Sequence, residues 1–271
     1  MLDLLKNFIP IIASPLLSKF FRYKNIHKGQ TCYLMGDGIS LKWFDLSLFG
    51  NELTIPCGFI PFHKQFNELN TPYLILAEPF YFYPTDLTTE GTKKIIRNQI
   101  QKIYIKDVID VYRGKQFFIN LSNFPTLRRE NITYIYKDNF DKELPDNYLS
   151  KRIDTSVGSL RVSIAIAIYM GFENIKLVGY DYTHVPSRSL HWYEKGEGII
   201  IPQPNYQKDF FEIAKEFADI TTITLDGEAK YINSITYKAY TGHDPIFREN
   251  YELVDERHLQ VLSTWPGYKV F

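Results

Sequence analysis

Short apolar runs alternate with helical spacings along this chain. Thr31-Cys32-Tyr33-Leu34-Met35 is an apolar run ending at Gly36, the pattern of a buried strand followed by a glycine turn. Leu53-Thr54-Ile55, Tyr73-Leu74-Ile75-Leu76, Gln116–Leu121, Thr133–Tyr136, Ile175–Val178 and Thr221–Leu225 predict further strands. Ser40 is placed to cap a short helix carrying Leu41, Phe44 and Leu46. Ile95, Ile96, Ile100, Ile103, Val108, Ile109 and Tyr112 recur at helical spacing across 90–112. Val157–Met170 is apolar on nearly every side and bounded by Gly158 and Gly171, which predicts a buried helix feeding straight into the next strand. Tyr206–Phe217 reads as an amphipathic helix. Residues 137–154 are polar, contain Pro145 and predict a loop. Residues 183–205 carry Pro186, Pro202 and Pro204 and predict a loop or lid, and the tail after Lys230 reads as irregular or helical.

Strands alternating with helices imply right-handed βαβ units and a parallel sheet. The predicted architecture is α/β, a single Rossmann-like domain over 29–271. It has a mainly parallel sheet, helices on both faces and a lid at about 183–205. Ligands on such sheets bind beyond the carboxyl ends of the strands. The loops 36–40, 56–61, 77–81 and 179–193 are therefore where function is sought.

Residues 1–28 form a separate amphipathic segment. Leu5, Phe8, Ile9, Ile12, Leu16 and Phe20 make one apolar face, broken by Pro10 and Pro15. Lys6, Lys19, Arg22, Lys24 and Lys28 add positive charge. The longest uncharged run, Asn7 to Ser18, falls short of the roughly 20 apolar residues of a bilayer span. A basic leader and small-residue cleavage site are lacking, so it does not read as a signal peptide. Residues 2–23 fit either an interfacial membrane anchor or a helix that packs on the domain or a partner. The expected location is the cytoplasm, at the inner face of the membrane if the anchor reading holds.

Composition narrows the function classes. The 271 residues are 45% hydrophobic and 23% charged, sufficient for a substantial core and unlike a disordered chain. Lys+Arg and Asp+Glu balance at 31 each, which gives no electrostatic reason to expect nucleic acid as a partner. Tyr and Phe, at 20 each, suit stacking on a base or sugar ring, although AT-rich coding bias yields the same excess. Cys32 and Cys57 imply neither a disulfide framework nor a metal site, and a reducing compartment fits them.

Four segments carry candidate chemistry. In Gly36-Asp37-Gly38-Ile39-Ser40-Leu41, two glycines let the backbone turn and approach a ligand, and Ser40 sits where a helix begins and could hold a phosphate. Position 41 is Leu, so the G-x-G-x-x-G fingerprint is incomplete. In Asp154-Thr155-Ser156-Val157-Gly158-Ser159, small hydroxyl residues at a helix start offer donors to an anion, or merely cap the helix, and Arg152 just before it could neutralise a diphosphate. Gly179-Tyr180-Asp181-Tyr182-Thr183-His184 follows the strongest strand, where Asp181 could accept sugar hydroxyls. Ser189-Leu190-His191-Trp192-Tyr193-Glu194 holds His191, the best general-base candidate, with Trp192 and Tyr193 able to stack on a ring. His63, His243 and His258 lack such neighbours.

In this order the segments resemble the bacterial sialyltransferases of the GT-A-like, metal-independent type. They also resemble the wider group with the archaeal 6-hydroxymethylpterin diphosphokinases and the flagellin nonulosonate transferases. The family's G-x-G-P-S-L loop is matched by Gly36 to Leu41, and its T-S-G segment by Thr155-Ser156-Val157-Gly158. Its Ala/Ile-rich helix matches Ile164–Ala167 up to Gly171, and its G-x-D-[FY] matches Gly179-Tyr180-Asp181-Tyr182. The resemblance covers about residues 30–225. It implies that Gly36, Gly38, Ser40, Ser156 and Gly158 hold the CMP part of a donor. It further implies that His191 deprotonates the acceptor hydroxyl and that Tyr182 and Tyr193 contact the leaving phosphate.

The pattern departs at four places. Asp37 replaces an Asn, Ile39 a Pro, Gly58 an Asn and Glu78 another Asn, so neutral amides have become acids and a glycine. Three functions remain open from the sequence. The leading one is a glycosyltransferase moving a sialic acid-like or Kdo-like sugar from a nucleotide-sugar, CMP-linked by preference, to a cell-surface or lipid-linked glycan. The second is a diphosphokinase-like transferase using ATP, with Asp37, Glu78 and Asp181 holding Mg²⁺. The third is a non-catalytic nucleotide- or glycan-binding protein. Self-association into a homo-oligomer is left open.

Overall fold

The computed structural model describes residues 11–83, 99–136, 159–201, 208–264 and 269–270. The strands are β1 (Thr31–Met35), β2 (Leu53–Pro56), β3 (Tyr73–Leu76), β4 (Gln116–Asn120), β5 (Ile132–Ile135), β6 (Asn174–Val178), β7 (Ser187–Arg188), β8 (Ile200–Ile201), β9 (Asp219–Thr224) and β10 (Asn233–Thr236). The helices are α1 (Ser14–Leu17), α2 (Ser159–Met170), α3 (Lys208–Ala214), α4 (Tyr237–Thr241), α5 (Asn250–Leu253) and α6 (Glu256–Leu262).

Five strands pair in the order β10-β9-β6-β1-β2 and three in the order β3-β4-β5, every pairing parallel. Parallel bridges Leu53↔Asn70 and Cys57↔Ile75 join β2 to β3, so the two sheets run on as one layer. The chain moves outward from β1 through β2 to β5, then returns to the other side of β1 as β6, β9 and β10. This is the doubly wound, Rossmann-like arrangement, and the strand order reverses between β1 and β6.

The pleat explains the two cores. Tyr33 and Met35 point into one apolar cluster, while Cys32 and Leu34 point into the other with Ile55, Ile75, Phe118, Ile175 and Leu177. α2 covers that second face with Leu160, Val162, Ile164, Ile166 and Met170, all buried, which explains why its sequence is apolar all round.

Differences from the sequence expectations have local causes. The helix expected from Ser40 is two 3₁₀ turns, Ile39–Lys42 and Leu46–Phe49, the second capped by Asp45 accepting from the Ser47 amide. Ser40 does not cap, because its amide and hydroxyl both donate to Asp181. Within 90–112, residues 99–104 are helical and continue into a π-helical turn at Ile105–Ile109, and Ile95 and Ile96 lie outside the described residues. β10 lies in the tail expected to lack strands. Its residues Asn233-Ser234-Ile235-Thr236 include one apolar side chain, the half-buried Ile235, and none is buried, so the edge strand left too little hydrophobic pattern to be read.

In the N-terminal segment, α1 and the 3₁₀ turn Ser18–Tyr23 pack on the domain. Leu17, Phe20 and Tyr23 are buried, with Phe20 and Tyr23 edge-on to Phe118 of β4. Ile11, Ile12 and Phe21 stay exposed. Among the described residues, no helix is long and apolar enough to cross a membrane.

Candidate functional site

The loops after β1, β2 and β6 converge where the strand order reverses. The Gly36 amide donates to the Val178 carbonyl at 2.9 Å and the Gly38 amide to the Gly179 carbonyl at 2.7 Å. A Cβ on Gly36 would lie 2.7 Å from the Gly179 oxygen, and one on Gly38 only 2.5 Å from it. The two glycines therefore permit the close approach of the β6 loop. The sequence reading assigned that freedom to a ligand.

Asp181 is buried, and its carboxylate accepts the Ser40 amide at 2.8 Å and the Ser40 hydroxyl at 2.5 Å. Burial pushes its pKa up, against the Ser40 hydrogen bonds and the charges of His184 and Arg188. The two groups assigned from sequence to a phosphate and to sugar hydroxyls thus hold each other. The Ser40 donors form an internal clasp between the loops.

Asp37 makes a second clasp. Its carboxylate accepts the Phe59 amide at 3.0 and 3.1 Å and the Trp192 indole N–H at 3.0 Å. Its carbonyl accepts the Trp192 amide at 3.2 Å. Burial pushes the Asp37 pKa up, opposed by the charge of His191 and by the Trp192 and Phe59 hydrogen bonds. Gly58, at φ +61°, makes room for that carboxylate, since a Cβ there would lie 1.7 Å from Asp37 Oδ2.

His191 sits at the rim of this assembly, its residue bridged antiparallel to Gly38. Its side chain is 47% exposed, and Nδ1 lies 2.7 Å from Glu194 Oε2, whose own side chain is only 4% exposed. Burial would lower the imidazole pKa. The Glu194 hydrogen bond and the charges of Asp37, Glu194 and Asp181 outweigh it, so His191 titrates above the ordinary histidine value. Glu194 titrates low, because its hydrogen bonds from His191 and from the Lys269 amide overcome its burial. The imidazole stacks on Tyr193 with ring centroids 5.1 Å apart and planes 4° off parallel.

Trp192 and Tyr193, expected to stack on a ligand ring, are 0% and 2% exposed and pack inward. Trp192 lies on His63 and Tyr193 stands edge-on to Phe59. Tyr182 is half-buried and edge-on to Tyr180. His184 is buried, Nδ1 lacks a hydrogen-bond partner, and burial lowers its pKa against Asp181 and Asp226. Glu78 is exposed at the end of β3, and its charge adds to burial in raising the pKa values of Cys57 and Tyr104.

Arg152, Thr155, Ser156 and Gly158 lie outside the described residues. The next residue, Ser159 at the start of α2, has its hydroxyl 3.2 Å from Cys57 Sγ, which lies 3.4 Å from the Tyr180 hydroxyl. The start of α2 therefore meets the ends of β2 and β6. Glu194, which follows Tyr193, has no role in the sequence expectations, yet its carboxylate holds His191. Its signal was the three-residue spacing from His191.

Asp37 and Asp181 each accept hydrogen bonds from two protein donors, so both carboxylates serve as links between loops. Among the described residues, no group of three or more His, Cys, Asp or Glu is arranged to hold a metal ion. A separate cleft of about 180 Å³ is lined by Trp43, Asp45, Tyr237, His243 and Arg248 and includes neither His191 nor Asp37. Comparison with protein-family models, with curated proteins and with solved structures finds no match to this chain.

Proposed function

We propose that the protein is a glycosyltransferase whose donor is a nucleotide-linked acidic sugar and whose base is His191. The observation that carries this reading is a half-exposed imidazole, paired with a buried carboxylate, at the carboxyl edge where the strand order reverses. Ligands on doubly wound sheets bind there, and a histidine raised above its ordinary value by a hydrogen-bonded carboxylate is suited to accept a proton.

In the proposed reaction an acceptor hydroxyl loses its proton to His191 as its oxygen bonds to the anomeric carbon. The bond from that carbon to the donor's phosphate oxygen breaks, and the electron pair leaves with the nucleotide phosphate. The protein supplies orientation and a proton acceptor. The donor chemistry, CMP-linked by preference, rests on the sialyltransferase-like order of the loops. An acceptor carried on a glycan lipid is consistent with exposed Ile11, Ile12 and Phe21 beside Lys19, Arg22 and Lys24.

A thermal-shift panel of nucleotides and nucleotide-sugars, with and without Mg²⁺, tests the reading, because a ligand of the native state raises its stability. Stabilisation by a CMP-sugar without metal is expected. Stabilisation by ATP only with Mg²⁺ would move the assignment to a diphosphokinase-like transferase. Stabilisation without turnover over a broad donor panel would make it a binding protein.

A further inference from the structure

Glu194 is built into the lid more firmly than a surface carboxylate. Its Oε2 accepts both the His191 backbone amide at 2.9 Å and His191 Nδ1 at 2.7 Å, and its Oε1 accepts the Lys269 amide at 3.0 Å. The Lys195 amide also donates to the Lys269 carbonyl, and the Asn250 side chain donates to the carbonyls of Tyr193 and Val270. The C-terminal residues thus lock the turn that carries the histidine. Tyr193 closes one face of the imidazole.

Valence then decides the tautomer. An ionised carboxylate only accepts hydrogen bonds, so Nδ1 beside Glu194 must carry a proton. In the neutral ring the lone pair is then on Nε2, the nitrogen on the far side from Glu194. We infer that Glu194 is the positioning residue of this site: with the Lys269 amide it fixes the His191 ring as the Nδ1–H tautomer and so makes Nε2 the atom that takes the acceptor's proton. This rests on the transferase reading for its purpose, though not for its geometry. Among the described residues, the charged groups acting on the ring include Glu194, Asp37 from the β1 loop and Asp181 from the β6 loop, and Glu194 also acts on Lys42.

The test is ¹⁵N NMR of the full chain labelled at histidine, with the His191 signals assigned through His191→Gln. At high pH the wild-type ring should show a protonated Nδ1 and an unprotonated Nε2. In Glu194→Gln the His191 titration midpoint should fall. With a turnover assay in hand, Glu194→Gln should lose about 10- to 100-fold in kcat, a part of what a positioned base contributes, with KM changed less than about threefold. A wild-type ring protonated at Nε2 overturns the inference without recourse to any variant, as does an unmoved midpoint in folded Glu194→Gln. If the Nδ1–H tautomer is found and the wild type turns over no nucleotide-sugar, the transferase reading fails while the assignment of Glu194 stands.

Discussion

The carboxylate of Asp37 and the indole N–H of Trp192 meet at 3.0 Å, joining the loop after β1 to the segment after β7 across 155 residues of chain. The same carboxylate holds the Phe59 amide, so three loops hang on one buried side chain. Asp37→Ala strips the partner from two buried donors, each costing about 1–3 kcal/mol. The expected outcome is a loss of about 2–6 kcal/mol in denaturant unfolding, with Trp192 fluorescence shifted towards that of a solvated indole. An unchanged midpoint would mean that the clasp contributes nothing.

Gly58→Ala attacks the same clasp from the other side. The new methyl would have to occupy the space of Asp37 Oδ2, at a positive φ that alanine adopts at a cost of about 1–2 kcal/mol. It should destabilise the protein by more than that figure, and combining it with Asp37→Ala should give less than the sum of the two losses, because they remove the same contact. Thermal melts of the two single variants and the double variant measure this.

Lys42 presents an asymmetric case. Its side chain is 0% exposed, and Nζ donates to Glu249 at 2.8 Å and to the Gly196 carbonyl at 2.7 Å. Removing the acid leaves a buried cation unbalanced, whereas an apolar side chain of similar length removes the charge along with its need for a partner. Glu249→Ala should therefore destabilise more than Lys42→Met. Unfolding midpoints in the reverse order would contradict this.

His63 sets an acid limit. Burial, with Arg248 and Lys64 adding to it, lowers its pKa from 6.5 to about 3, so the folded ring is neutral. The unfolded chain takes up the proton first as pH falls below the ordinary histidine range, and stability is lost between that value and pH 3. At about pH 5 the cost is about 1–2 kcal/mol, and His63→Phe should remove that slope even if it costs packing at neutral pH. Parallel stability–pH curves for wild type and variant would contradict it.

The fold was legible wherever burial and periodicity coincide. Cys32-Tyr33-Leu34-Met35 and Leu177-Val178 are strands buried on both faces and read as apolar runs, and α2 reads as apolar because both of its sides meet packed side chains. Asn233–Thr236 was illegible because a half-exposed edge strand with one apolar residue, Ile235, shows no alternating pattern. At the site, the loops after β1, β2 and β6 singled out in the sequence do meet, and several of their polar groups bond one another. Ser40 and Asp181 look like ligand contacts when taken singly, but they lie 141 residues apart and satisfy each other, and such pairing has no local signal. Glu194 is the opposite case, since its partner lies only three residues away.

If His191 accepts the proton during sugar transfer, its loss must sharply cut turnover and spare donor binding. Wild type and His191→Gln are assayed for turnover of a nucleotide-sugar panel with a glycan acceptor, and for donor binding by calorimetry. Turnover by the wild type should rise with pH through a midpoint above the ordinary histidine value. His191→Gln should lose about 10²–10⁴-fold in kcat, with donor affinity retained. Full turnover by His191→Gln, or a wild type that binds no nucleotide-sugar, would contradict this role for His191.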